Sequence, residues 1–176
     1  MRQRTVESLA ALAALGATLM ASVAVAETPP LVAAYNQQLV RQCGGDMTPA
    51  LATQVVQQID LNGDKIDDWI IDAGRYPCPN RAAAFKDAGS QVTVFLGRAD
   101  GRALPAFQRI AYGSRIEGKP ATGYALWLTL GGSDCGEGDP KARCDRRLTW
   151  QTVEQRFELV DPAAKPPTST LPPKKK

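Results

Sequence analysis

The sequence predicts a mainly β fold: an antiparallel sheet of about six to seven strands with one short N-terminal helix, held by disulfides. Three observations predict it. Short apolar runs alternate with a period of two, the period of a strand with one buried face. Glycines at 97, 101, 113, 118, 123, 131 and 132 punctuate those runs at close spacing, which favours antiparallel pairing over a βαβ arrangement. Four cysteines, an even number, lie beyond residue 26.

Residues 1–26 read as a secretory signal peptide. Arg2 and Arg4 provide a basic start, an apolar stretch runs from Leu9 to Val25, and Ala24-Val25-Ala26 is a small-x-small cleavage pattern before Glu27. No cysteine stands near the cut for lipid attachment, and the two arginines are not adjacent as in a twin-arginine signal. No later stretch has the apolar length of a membrane span. A single exported β-rich domain over 27–160 is therefore expected, in the periplasm or outside the cell.

The spacing predicts a helix over 31–42. Val32, Tyr35 and Leu39 share a face, Pro29 and Pro30 suit its start, and Gly44-Gly45 can end it. Strands are expected at 54–59, 69–73, 91–96, 106–112 and 124–130. In the last of these, Leu126, Leu128 and Leu130 face one way, and Trp127 and Thr129 face the other. Residues 147–151 and 155–160 form a hairpin pattern. Leu148, Trp150, Phe157 and Leu159 fall on its apolar face, and Arg156 and Glu158 on its polar one. Residues 80–85 fit a short helical turn capped by Asn80. The segment 161–176, rich in Pro, Thr and Lys, has the composition of a disordered tail.

Cys43, Cys78, Cys135 and Cys144 allow three pairings. Proximity in sequence favours Cys135–Cys144, which leaves Cys43–Cys78. Chain entropy would give about 3 kcal/mol for the short loop and about 4 kcal/mol for the long one. The absence of both C-x-x-C and histidine argues against a zinc site and against thiol redox chemistry.

The lack of any histidine also excludes Ser-His-Asp and Cys-His catalysis and the H-E-x-x-H metalloproteases. Without residues 1–26 the chain has 19 basic against 17 acidic residues, and 27–160 has 15 against 16. That balance gives no basic face for nucleic acid.

One stretch rises above the generic: Asp60-Leu61-Asn62-Gly63-Asp64-Lys65-Ile66-Asp67-Asp68. Side-chain oxygens of Asp60, Asn62, Asp64 and Asp68 fall at loop positions 1, 3, 5 and 9, and Ile66 offers its carbonyl. This is a donor spacing for Ca2+. Two departures predict weak binding. Lys65 occupies the sixth position, where a left-handed backbone favours glycine. Ile71 occupies the twelfth, the usual place of a bidentate glutamate; Asp67 and Asp72 are the nearby substitutes. The competing reading is a metal-free Asp/Asn/Gly turn held by side-chain-to-backbone hydrogen bonds. Against it, four aspartates within nine residues repel one another without a counterion.

The run resembles the D-x-N-G-D-G-x-x-D loops of FG-GAP and VCBS repeats and of dockerins. The chain is similar over most of 60–160 to a group of small exported bacterial proteins. Those proteins follow one such loop with a strand like Trp69-Ile70-Ile71-Asp72, a segment bearing a cysteine such as Cys78, and a strand like Val92-Thr93-Val94-Phe95-Leu96. A Gly-Ser-x-Cys-Gly element (Gly132–Gly136) and a Cys-x-Arg-x-Leu-x-Trp strand (Cys144–Trp150) close the pattern. Such proteins often carry extra cysteines in the middle segment; residues 80–89 have none. The resemblance implies export, calcium binding and disulfides, and brings no reaction with it.

Two functions compete. The first is a calcium-stabilised, non-enzymatic module that binds an envelope protein or polymer, with Tyr112, Tyr124 and Trp127 as candidate contacts if they are not core residues. The second is a carboxylate-dependent hydrolase of envelope polymers. It needs two facing carboxylates, for which Glu117, Glu137, Glu154 and Glu158 are available, none in a recognisable motif. Ser133 lacks the following glycine pattern of a nucleophile elbow. No catalytic residue is assigned.

Overall fold

The computed structural model describes residues 27–43, 54–78, 89–136, 139 and 141–161. The expected signal segment, the helical turn at 80–85 and the tail beyond Asp161 lie outside the described residues.

Helix α1 spans Pro30–Cys43. Proline is well tolerated at its first position, where the missing N–H has no helical acceptor in any case. Val32, Asn36, Leu39 and Cys43 are its buried residues, and their spacing of four, three and four defines one face. Its last residue, Cys43, is bonded to Cys78, with Cα atoms 5.0 Å apart.

Eight strands follow, one more than the sequence pattern marks: β1 Val56–Ile59, β2 Asp68–Asp72, β3 Ser90–Gly97, β4 Ala103–Ala111, β5 Gly113–Lys119, β6 Gly123–Gly131, β7 Arg143–Gln151 and β8 Arg156–Val160. They form two four-stranded sheets rather than one, ordered β1-β2-β3-β4 and β5-β6-β7-β8, with every pairing antiparallel. The strand missed from the pattern is β5. Its sequence, GSRIEGK, carries one aliphatic residue and a glycine at each end of the polar stretch. It lies at a sheet edge, where few positions need to be apolar.

Strand alternation builds two cores. On one face of the first sheet, Trp69, Ile71, Ala73 and Phe95 pack against Val32, Leu39 and Cys43 of α1. On the other face, Ile70, Val92 and Val94 meet Leu126, Leu128, Leu130, Leu148 and Phe157 of the second sheet. The layers therefore run helix, sheet, sheet. Trp150 and Phe157 are paired across β7 and β8 and meet edge to face at 5.0 Å, on the apolar side expected for that hairpin.

The chain crosses between sheets with almost no loop. Only Tyr112 separates β4 from β5, and its N–H donates to the Thr129 carbonyl of β6 at 2.7 Å. A polar joint backs this corner. Asp72 is 4% exposed. Its Oδ1 accepts from the Gly74 amide at 2.8 Å and the Ser90 hydroxyl at 3.2 Å; its Oδ2 accepts from the Ser114 hydroxyl of β5 at 2.5 Å. Arg75 stands 3.7 Å away and donates to the Ser114 carbonyl at 3.0 Å.

The second disulfide joins Cys135 to Cys144, with Cα atoms 5.5 Å apart. It ties the turn after β6 to the start of β7. Both pairings match those favoured by sequence proximity, and no cysteine is free.

Candidate metal-binding loop

The acidic run connects β1 to β2. Ile59 and Asp68 are the last paired residues of that hairpin, so the loop spans the eight residues between them. Asp60 opens the loop, and Asp68 is already the first residue of β2.

Side-chain oxygens hold the loop from inside. Asp60 accepts from the Gly63 amide through Oδ1 at 2.7 Å and from the Lys65 amide through Oδ2 at 3.0 Å. Asn62 Oδ1 accepts from the Asp64 amide at 3.1 Å, and Asp64 Oδ1 accepts from the Ile66 amide at 2.8 Å. Asn62 Nδ2 donates to Asp64 Oδ2 at 2.9 Å. These successive Asx turns explain why Asp and Asn recur at alternate positions.

Lys65 adopts φ 68°. The loop therefore takes the left-handed conformation at its sixth position although a side chain is present there. Asp60 is what holds it, since it binds the amides on both sides of Asp64. The strain of a non-glycine residue is on the order of 1 kcal/mol.

Asp68 is fully buried. Its Oδ2 accepts from the Leu61 amide at 2.9 Å and its Oδ1 from the Gly97 amide at 3.1 Å. It thus fastens the loop to the end of β3. Burial pushes its carboxyl up to about 6; the two amide donors oppose that shift, and the negative charges of Asp64 and Asp60 add to it.

The donor set is wholly oxygen: three carboxylates, one amide and the Ile66 carbonyl. It fits a hard cation by chemistry. Each carboxylate oxygen retains acceptor capacity beyond one N–H. Among the described residues no group of three or more His, Cys, Asp or Glu side chains is gathered at metal-binding distance. The geometry is that of an acidic turn held by its own side-chain-to-backbone hydrogen bonds.

Of the two substitutes for the missing twelfth-position carboxylate, Asp67 is exposed on the loop. Asp72 is committed to the joint between the sheets. Ile71 is fully buried against the helix layer. The sequence assigned Gly97 no site role, and offered Tyr124 only as a candidate contact. Gly97 matters through its amide and through space: a Cβ there would lie 2.1 Å from the Asp67 carbonyl oxygen. Only the strand register, with Trp69 opposite Phe95, brings it beside Asp68. Tyr124 lines a cleft of about 550 Å³ between the loop and the β5–β6 turn.

The other candidate residues disperse. Trp127 is half-buried on the second sheet with the Arg115 guanidinium 5.0 Å from its ring centre. Tyr112 has Arg143 stacked at 3.6 Å. Glu117 pairs with Arg115 at 2.8 Å, and the same arginine reaches Asp145 at 2.8 Å. Glu154 and Glu158 are exposed, and Glu137 lies outside the described residues.

No protein-family model, curated protein or solved structure matches the chain. Among the described residues, no helix is long and apolar enough to cross a membrane.

Proposed function

We propose that the chain is an exported β module of the cell envelope, braced by two disulfides and a weakly bound calcium ion, with a binding or structural rather than enzymatic role. The single observation that carries the calcium reading is the Asp60–Asp68 loop. Its side-chain oxygens recur at the alternate positions of a calcium loop, and it takes a left-handed turn at Lys65. Asp60, Asn62, Asp64 and Asp68 would supply side-chain oxygens and Ile66 its carbonyl. A bound calcium ion would neutralise the carboxylates and tie the β1–β2 hairpin together. Export is supported by the signal pattern in 1–26 and by the oxidised cysteine pairs, which persist in oxidising compartments. The partner is an envelope protein or polymer.

Thermal unfolding with calcium and with a chelator tests the loop. For a millimolar site, 10 mM calcium adds about 1.4 kcal/mol and raises the midpoint by a few degrees. Asp64→Ala should abolish that increment. A wild-type midpoint indifferent to calcium would overturn the proposal.

A further inference from the structure

A cleft of about 720 Å³ lies between α1 and the β3–β4 half of the first sheet. Helix α1 covers β2 and part of β3 with its buried face. A second stripe of the helix, Leu31, Ala34, Gln38 and Arg41, forms one wall of the cleft. Phe95, Pro105, Ala106 and Phe107 supply most of its apolar floor. No residue of the acidic loop lines it.

The geometry points to a binding site for a single-chain anionic amphiphile, a fatty-acid-type carboxylate. Three observations carry this. The volume and the largely apolar lining are those of a small-molecule site, with few polar groups to orient a ligand. Two polar side chains of the lining are already engaged: the Tyr35 and Thr93 hydroxyls are 2.9 Å apart, and the Gln91 amide donates to Tyr35. Beyond the rim arginine, a peptide or sugar would find only the Gln38 and Gln108 amides as further partners, whereas a hydrocarbon chain needs none.

Charge supplies the third. Among the described residues of the lining, Arg41 is the one that is charged, exposed in the last turn of α1. A ligand with a single negative head meets it at the rim. Leu31, 44% exposed, stands at the other end of the stripe. Ten residues of helix separate them, roughly 15 Å, which is on the scale of an extended medium-length acyl chain. The site stands apart from the calcium reading and survives its failure.

Titration calorimetry of the full disulfide-bonded protein with decanoate tests it. One saturable site is expected, and octanoate, two methylenes shorter, should bind about tenfold more weakly. Arg41→Gln should weaken decanoate about three- to fivefold, the scale of an exposed ion pair, and leave decanol unchanged. Leu31→Glu and Ala34→Trp alter exposed helix positions and should each cost tenfold or more. Val153→Glu, at a 92% exposed turn residue, should bind as wild type. Circular dichroism melts confirm that each variant is folded. The proposal is overturned by the absence of saturable binding, or by folded Leu31→Glu and Ala34→Trp proteins that bind decanoate as wild type does.

Discussion

The amide of Gly97 donates to the buried carboxylate of Asp68 at 3.1 Å, and the missing Cβ of Gly97 is what lets the Asp67 carbonyl come so close. The end of β3 therefore works as a template for the acidic loop. Gly97→Ala should drive a methyl group into backbone, where no flexible side chain can yield. A loss of about 2–3 kcal/mol is expected in urea unfolding, and the calcium response should fall with it. An alanine variant as stable as wild type would show that the loop is not held this way.

Asp68 also gives the calcium-free protein a pH signature. Its carboxyl is raised from 3.8 to about 6, so the folded state binds this proton more tightly than the unfolded chain does. Its contribution to stability is full below about pH 4 and is lost as pH rises through about 6. The displacement corresponds to about 3 kcal/mol. Other carboxylates add their own slopes, so the measurement is a difference: wild type against Asp68→Asn, unfolded in urea with chelator between pH 4 and 7. The gap should narrow toward high pH in the wild type's disfavour. Parallel profiles would sink the idea.

Much of this was legible in the sequence, and particular residues show where legibility stopped. Leu126, Leu128 and Leu130 announced both a strand and its buried face, because one side of β6 meets the core and the other does not. The turn positions of the acidic loop were equally plain, since Asx turns need Asp or Asn at fixed spacing. The division into two sheets was not. It depends on Tyr112, a single residue at which the chain leaves one sheet for the other, and on β5, whose edge position relieves it of apolar residues. The cleft beside α1 was invisible for a different reason. Periodicity shows which helix face is buried, and says nothing of how much sheet the helix leaves uncovered.

The two disulfides should differ in weight. Cys43–Cys78 closes a separation of 35 residues and Cys135–Cys144 one of 9. Chain entropy assigns about 4 and about 3 kcal/mol respectively. Paired Cys→Ala replacements, compared by urea unfolding, should show the larger loss for the first. Hydrogen exchange should add a spatial mark: losing Cys43–Cys78 should speed exchange in α1, which it pins, more than in β6 and β7. Uniform acceleration across the chain would argue against that anchoring role.

Asp72 and Ser114 join the two sheets through a 2.5 Å hydrogen bond inside a half-buried corner. The carboxylate also serves Ser90 and the Gly74 amide, so its removal leaves several groups without their acceptor. Asp72→Ala should cost about 3–5 kcal/mol, as expected when one member of a buried charged network is deleted. Ser114→Ala removes only the link to β5 and should cost about 1.5–3 kcal/mol, the range for a hydrogen bond to a charged group. Because both variants break the same bond, the double variant should lose less than the two separate losses combined, by about 0.5–3 kcal/mol. Strict additivity in a double-mutant cycle would mean that the sheets are held at this corner by apolar packing alone. In that case Ser114→Ala should be nearly silent, and the polar joint would be a consequence of the sheet-to-sheet contact rather than a cause of it.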